Sequence, residues 1–310
     1  MHFKGKYMGT LVIFRQMIVF VILIGIGIIL NIKGILGIRD EKTISSIIVN
    51  VCNPMLLISS CIEEGERISH EKLLKASGAA VLIYLVLIIM GFIIPRLIGV
   101  KKEEQRFYNL MCVYGNVGFI GIPLIREILG SDALIYVTVC NLIFCILIYT
   151  HGKAVLFSGK GGFKARDLLS TGFIGGIIAI LIYWFDITVP EVIAKPVNYG
   201  GAATTFLSMM VLGSSLKSLK IKEMLCMYRL HAFTALKFVV LPVVFGLTLR
   251  AAGFETIVVK TLAAVSALPV GNMPLMLAKE AGLETKTLTM GIGESTILSV
   301  ITLTIVLSVV

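Results

Sequence analysis

Apolar residues in this chain run in long blocks, with neither the alternation of strands nor the single stripe of surface helices. Ten blocks reach the roughly 17–25 mainly apolar residues that a membrane-spanning helix needs. They lie at about 10–30, 43–62, 74–95, 107–129, 132–151, 168–187, 196–216, 230–250, 257–279 and 287–308. Charged residues collect in the connections between them. The pattern predicts an all-α polytopic membrane protein with ten transmembrane helices. The first block has no small-residue cleavage site and is followed by further spans, so it is expected to stay as a span and not to be removed as a signal peptide.

Two blocks are interrupted near their middles. Block 107–129 contains Gly115, Asn116, Gly118, Gly121 and Pro123, and block 257–279 contains Ala267-Leu268-Pro269-Val270-Gly271-Asn272-Met273-Pro274. Glycine raises the entropic cost of a helix and proline removes an N–H donor. In lipid no water replaces a lost backbone hydrogen bond, so broken helices persist only where protein or a wet cavity surrounds them. Membrane carriers place their substrates at such breaks.

Composition sharpens the class. The chain is 57% hydrophobic and 15% charged, with mean hydropathy +0.97, against about 45–50% and about 25% in soluble domains. Its net charge of +10 would suit nucleic acid, but the distribution is topological and no nucleic-acid partner is expected. Seventeen of the 28 Lys and Arg fall in alternate connections, among them Lys33, Arg39, Arg96, Lys101, Lys153, Lys160, Lys217, Arg229 and Lys286. The excess of cations marks the cytoplasmic side. Both termini are then outside, the 152–166 loop is cytoplasmic, and the protein sits in the cytoplasmic membrane. The six cysteines, Cys52, Cys61, Cys112, Cys140, Cys145 and Cys226, are scattered without C-x-x-C spacing and read as packing residues. No metal or cofactor is expected.

The basic, Gly-rich 152–166 linker divides the chain into an N-terminal five-helix repeat, 1–151, and a C-terminal one, 167–310, within one membrane domain. An odd number of spans per half makes any repeat an inverted one. Each interrupted block is the fourth of its half, and each carries a Gly-Asn step, Gly115-Asn116 and Gly271-Asn272.

The chemistry expected there is anion binding. A half-helix that begins inside the membrane offers free N–H groups and the positive end of its dipole. Two such ends at one point suit a small carboxylate, and Asn116 and Asn272 add polar contacts without a buried charge. The alternative is that the glycines only permit close helix packing. Glu294 and Lys237 lie inside spans, about 12 Å deep at 1.5 Å per residue. A lone charge there costs at least about 2.5–3.5 kcal/mol, so the two are expected to pair or share a polar cavity, with Glu294 able to take up a coupling proton. Against that, Lys237 could snorkel and Glu294 could line a water-filled vestibule. Arg15 reads as snorkelling, and His2, His70, His151 and His231 as solvated span ends.

Rival classes find little. The chain has no Walker A sequence to drive transport with ATP and no H-E-x-x-H site for an intramembrane enzyme. Gly293-Glu294-Ser295 offers a serine without a histidine at comparable depth in the sequence-derived spans. A non-transporting receptor would have no use for two matched breaks.

Gly-Asn-Val-Gly-Phe-Ile-Gly-Ile-Pro-Leu at 115–124 and Ala-Leu-Pro-Val-Gly-Asn-Met-Pro at 267–274, followed by Ala278-Lys279-Glu280, resemble the auxin efflux carrier family. Asn53-Pro54, the Leu-Gly-x-x-Leu at 212–216 and Leu241-Pro242 are also similar. The resemblance covers all ten blocks. It implies two inverted five-helix repeats, related to bile-acid symporters, in which helices 4 and 9 unwind and cross at the substrate site. Asn116 then resembles the polar residue beside the crossing, Pro269 the crossing proline, and Val270, Gly271 and Asn272 the unwound backbone. Gly115, Val117 and Gly118 flank it, and Asn141 and Ser59, with its neighbour Ser60, are implied as further substrate contacts, with an interhelical hydrogen bond the equal alternative for Asn141. Gly121, Pro123, Pro274 and Pro54 are implied as hinges. Gly115 stands where plant members have proline, and the central loop is short, which argues against auxin. The implied substrate is a small organic anion resembling malate or malonate. Glu294 makes H⁺ the expected coupling ion. The fold also implies Na⁺-coupled, bile-acid-type symporters, but the chain has few ligands for Na⁺ near the crossing. The wider family implies a homodimer.

Overall fold

The computed structural model describes residues 2–62, 69–157, 169–216 and 221–310. The described residues form helices throughout, and their only extended pairing is one antiparallel bridge between Gly115 and Val270. The helices are α1 (His2–Ile32), α2 (Ile38–Ile62), α3 (His70–Leu97), α4 (Lys102–Val113), α5 (117–129) and α6 (Ser131–Leu156). They continue as α7 (Thr171–Trp184), α8 (Glu191–Leu216), α9 (Ile221–Leu225), α10 (Tyr228–Ala251), α11 (Thr256–Ala267), α12 (Met273–Glu280) and α13 (Lys286–Val309). Among them α2, α3, α6, α10 and α13 are long and apolar enough to cross a membrane, and Ile18–Ile32, α7 and α11 are shorter apolar helices. The chain is an all-helical polytopic membrane protein.

The two interrupted blocks each become a pair of helices, α4 with α5 and α11 with α12. Block 132–151 extends further than its sequence suggests, because α6 runs on to Leu156. The connection expected at 152–166 is therefore helical at its start, and its stretch 158–166 lies outside the described residues, as do Lys217 and Lys220.

Proline sets the finer geometry. Four helices widen into a five-residue π turn, at Ile48–Cys52, Val117–Gly121, Ile148–Gly152 and Leu236–Val240. All but the one in α6 end two residues before a proline: Pro54, Pro123 and Pro242. The proline ring clashes with the carbonyl four residues back and supplies no N–H. Those carbonyls belong to Asn50, Phe119 and Phe238, inside the turns, and the wider turn takes up the clash without ending the helix.

Contacts divide the chain into two compact units. One comprises Met1–Ser77, Val117–Leu142 and Leu169–Ser218. In it α1 and α8 pack backbone to backbone: a Cβ on Gly27 would overlap the Met210 carbonyl, and one on Gly213 the Ile24 carbonyl. Lipid is as apolar as the side chains, so helices there associate through small residues that allow such approach. Pro54 packs on Gly175 of α7, and Leu56 on Gly201 of α8. The Glu41 carboxylate accepts from the Ser214 hydroxyl and, at 3.3 Å, from the Asn31 amide. This ties together the ends of α1, α2 and α8.

The other unit comprises Gly78–Asn116, Ile143–Leu168 and Leu219–Val310. Here α4 is buried from Phe107 to Val113, with Tyr108 edge-on to Phe233 at 5.1 Å and Met111 packed over Gly291 of α13. Exposed side chains along α1 and α3, including Ile22, Ile29, Leu82, Leu85 and Ile89, are the apolar surface a bilayer solvates. Each unit draws on both halves of the sequence, so neither coincides with 1–151 or 167–310.

Candidate binding site at the helix breaks

The site lies in the second unit, where the end of α4 meets the chain between α11 and α12. Pro269 forces the residue before it out of the helical region, and Leu268 is extended, with φ −58° and ψ 139°. That ends α11. On the other side Tyr114 leaves α4 at φ −103° and ψ 82°. The freed backbones then satisfy each other. The Asn116 amide donates to the Pro269 carbonyl at 2.7 Å, and the Gly271 amide to the Tyr114 carbonyl at 2.9 Å. The Val270 amide between them donates to Ser295 Oγ at 3.0 Å, while that hydroxyl donates to the Gly291 carbonyl at 2.6 Å. The glycines make room: a Cβ on Gly271 would lie 3.1 Å from the Gly115 carbonyl oxygen, and one on Gly115 would lie 3.1 Å from Leu268 Cβ.

The amides of the crossing itself are used up in this pairing. The N–H groups of Asn116, Val270 and Gly271 are spent within the protein, as buried backbone groups must be. The positive pole in this unit is therefore the start of α12. There Asn272 is the N-cap, its carbonyl accepting from the Met276 amide at 3.1 Å, with Pro274 buried in the first turn. The first amides of a helix have no intrahelical acceptor, and Asn272 is only half-buried.

The expected pairing of Glu294 with Lys237 is not what the described contacts show. Lys237 is 2% exposed, and its ammonium donates to the Ser266 carbonyl in the last turn of α11. A cation there opposes the negative end of the helix dipole and satisfies an orphan carbonyl. Snorkelling to the boundary is excluded by that burial. Glu294, also 2% exposed, contacts His231 instead, with Nδ1 3.0 Å from Oε2.

Histidine is where the sequence misleads. His231 is anchored at both ring nitrogens, and His151, half-buried, has Nδ1 2.9 Å from the Tyr114 hydroxyl. That hydroxyl also donates to the Leu147 carbonyl at 2.8 Å, holding the residue at which α4 breaks. His70, by contrast, is exposed at the start of α3 as expected, and stacks on Trp184 at 4.1 Å. Ser295, weighed in the sequence only as a nucleophile, is the residue whose place at the crossing sequence reasoning missed. Its one signal was its place beside an intramembrane carboxylate.

Gly115, Asn116, Pro269, Val270, Gly271 and Asn272 are thus brought together. Val117, Gly118, Gly121 and Pro123 follow in α5 and belong to the first unit. So do Pro54, Ser59 and Asn141, which have contacts of their own there. The Ser59 hydroxyl donates to the Leu56 carbonyl at 2.9 Å, its neighbour Ser60 donates to Leu57, and the Asn141 amide donates to the Gly172 carbonyl at 3.4 Å. Gly118 passes close to α2, where a Cβ would lie 2.7 Å from Asn53 Nδ2.

Comparison with known proteins adds to this geometry. A family model described as "Membrane transport protein" matches residues 12–171 and 163–307. An uncharacterized transporter of Methanocaldococcus jannaschii is 27% identical over 218 residues, covering 66% of this chain and 69% of its own length. An uncharacterized transporter of Methanothermobacter thermautotrophicus is 24% identical over 147 residues, covering 45% of this chain and 43% of its own.

Proposed function

The chain belongs to the membrane transport protein family, that of the auxin efflux carriers, and on that premise we propose that it carries small organic anions of the malate or malonate type across the cytoplasmic membrane. It works by alternating access as a secondary or facilitative carrier. The observation that carries the reading is the backbone pairing of Tyr114–Asn116 with Pro269–Gly271, directly followed by the N-terminus of α12. A closed knot of two breaks holds a helix end and the Asn272 side chain in fixed positions, which is the preorganisation an anion site needs. Asn116, Gly271 and Asn272 are the proposed contacts in this unit, with Gly115, Pro269 and Val270 shaping the backbone. Within the first unit, Val117, Gly118, Ser59 and Asn141 are proposed as contacts of their own. Pro54, Gly121, Pro123 and Pro274 are the proposed hinges.

Ten spans in two inverted repeats, with both termini outside, are the proposed architecture. In support, α1 and α2 share a unit with α7 and α8, and α3 and α4 share the other with α10 and α11, the pairing that repeats of 1–151 and 167–310 require. Coupling to H⁺ is favoured over Na⁺ because the Lys237 ammonium already covers carbonyl oxygen at the end of α11, where half-helix C-termini elsewhere hold coupling cations. The test is reconstitution in vesicles with a panel of mono- and dicarboxylates, imposing pH and sodium gradients separately. Saturable uptake of at least one dicarboxylate supports the proposal. A panel that crosses no faster than in empty vesicles overturns it.

A further inference from the structure

The contact between His231 and Glu294 cannot form without a proton between them. The imidazole is held by two oxygens: Nε2 is 3.1 Å from the Leu225 carbonyl and Nδ1 is 3.0 Å from Glu294 Oε2. A carbonyl only accepts, and an ionised carboxylate only accepts. A neutral imidazole has one N–H, so one of the two contacts would set lone pair against lone pair. Both are satisfied in only two ways. The ring is an imidazolium donating to both oxygens, or Nε2–H donates to Leu225 while a protonated Glu294 donates to Nδ1. Either way the pair holds one proton more than a neutral histidine beside a carboxylate.

The two ends of the pair differ in access. The His231 side chain is 40% exposed and that of Glu294 2%, so a proton enters from the histidine side. Glu294 Oε1 is buried and has no hydrogen-bond partner among the described residues. Glu294 also precedes Ser295, whose hydroxyl receives the Val270 amide of the crossing. Proton occupancy at Glu294 is thus one residue removed from the backbone that shapes the proposed site.

From this geometry we infer that His231 and Glu294 together form a binding site for one exchangeable proton, loaded through His231, and that this is the coupling proton of the carrier. The coupling role rests on the anion-carrier reading above; the proton site does not. On the neighbouring elements, Glu223 of α9, next to Lys222, pairs with Lys286 of α13 at 2.8 Å. Tyr108 of α4 interacts electrostatically with Glu294, and with Glu104 and Arg229. Lys237, which interacts with Cys112, is committed to the Ser266 carbonyl. Lys260 of α11 and Arg250 of α10 make no hydrogen bond to the pair among the described residues. When the proton leaves, it passes from the pair to water at the exposed ring edge, and the contact opens by repulsion between the two bare acceptors.

The test has two readouts on the full chain. In nanodiscs with ¹⁵N-labelled histidine, a downfield proton resonance from the His231–Glu294 hydrogen bond is expected. It is identified by its absence in His231→Gln, is lost reversibly as pH rises, and is absent in Glu294→Gln, where a permanent amide donor replaces the proton. In proteoliposomes carrying an internal pH dye, malonate entry is expected to move protons in the wild type. That movement falls at least ten-fold relative to malonate carried in both variants. A wild type without the resonance, or one that keeps it in Glu294→Gln, overturns the proton site. Unchanged proton movement per malonate in both variants overturns the coupling role. If no acid crosses while the resonance is present and behaves as stated, the carrier reading falls and the proton site stands.

Discussion

The amide of Asn116 donates to the carbonyl of Pro269 across 2.7 Å, joining two helices at the points where each is broken. Proline can receive this bond but not return it, and the reciprocal bond comes two residues later, from Gly271 to Tyr114. Each break solves the other's problem. Two glycine- and proline-rich interruptions that would be costly alone in lipid become one small antiparallel joint.

Gly271 meets backbone, not side chain, at that joint. Its hypothetical Cβ lies 3.1 Å from a backbone oxygen of Gly115, which cannot rotate away. Gly271→Val is expected to cost about 1–3 kcal/mol through overpacking and to abolish uptake. Gly271→Ala should keep measurable uptake. Thermal unfolding in detergent alongside vesicle uptake checks both, and a valine variant as stable and active as the parent would show the joint to be loose.

Ser295 is the only described hydrogen-bond acceptor of the Val270 amide. Ser295→Ala leaves that amide buried and unpaired, at a cost of about 1–3 kcal/mol, whereas Ser295→Thr keeps the hydroxyl. Hydrogen exchange at Val270 should quicken in the alanine variant only. Equal protection in all three proteins would remove Ser295 from the account.

Lys237 places a buried cation at the carbonyl end of α11. Lys237→Ala is expected to reduce uptake at least ten-fold and to make what remains respond to sodium, since a small cation can then occupy the vacated oxygen environment. Uptake compared in sodium and in choline media reads this directly. A variant indifferent to sodium contradicts the assignment of Lys237 as a built-in replacement for a mobile ion.

In the first unit, the crossing of α1 and α8 depends on Gly27 and Gly213, each lying against a backbone carbonyl. Neither carbonyl can move without moving its helix. Leucine at either position is expected to destabilise the unit by about 3 kcal/mol or more, read as loss of the folded, monodisperse protein in detergent. Alanine should be milder, though still unfavourable.

Much of this was legible in the sequence because block length and proline position act locally. The interrupted blocks, the Gly-Asn steps and the role of Pro269 follow from backbone rules that need no tertiary information. The π turns before Pro54, Pro123 and Pro242 obey an equally local rule, the clash with the carbonyl four residues back. Partner choice was not legible. Glu294 and Lys237 are separated by a similar depth from the same surface, and charge alone paired them. The fold instead gives Lys237 a helix end and Glu294 a histidine, because the last turn of α11 and the first turns of α10 bring those groups nearer. His151 and His231 read as surface residues for the same reason: sequence places them at span ends and says nothing of what packs there. The use of the break's own amides in backbone pairing could be seen only once the two segments lay side by side.

The central claim is that the crossing and the start of α12 receive an anion, and Asn272 tests it most directly. Aspartate serves as well as asparagine at a helix N-cap, so Asn272→Asp should leave the fold intact while placing a negative charge where the carboxylate binds. Equilibrium binding of radiolabelled malonate, or of whichever dicarboxylate the wild type takes up, is the measurement. The account predicts a loss of affinity of about 100-fold or more, about 2.7 kcal/mol, with unchanged thermal unfolding and with Asn272→Ser retaining most of the binding. Wild-type affinity in a folded Asn272→Asp protein would contradict it.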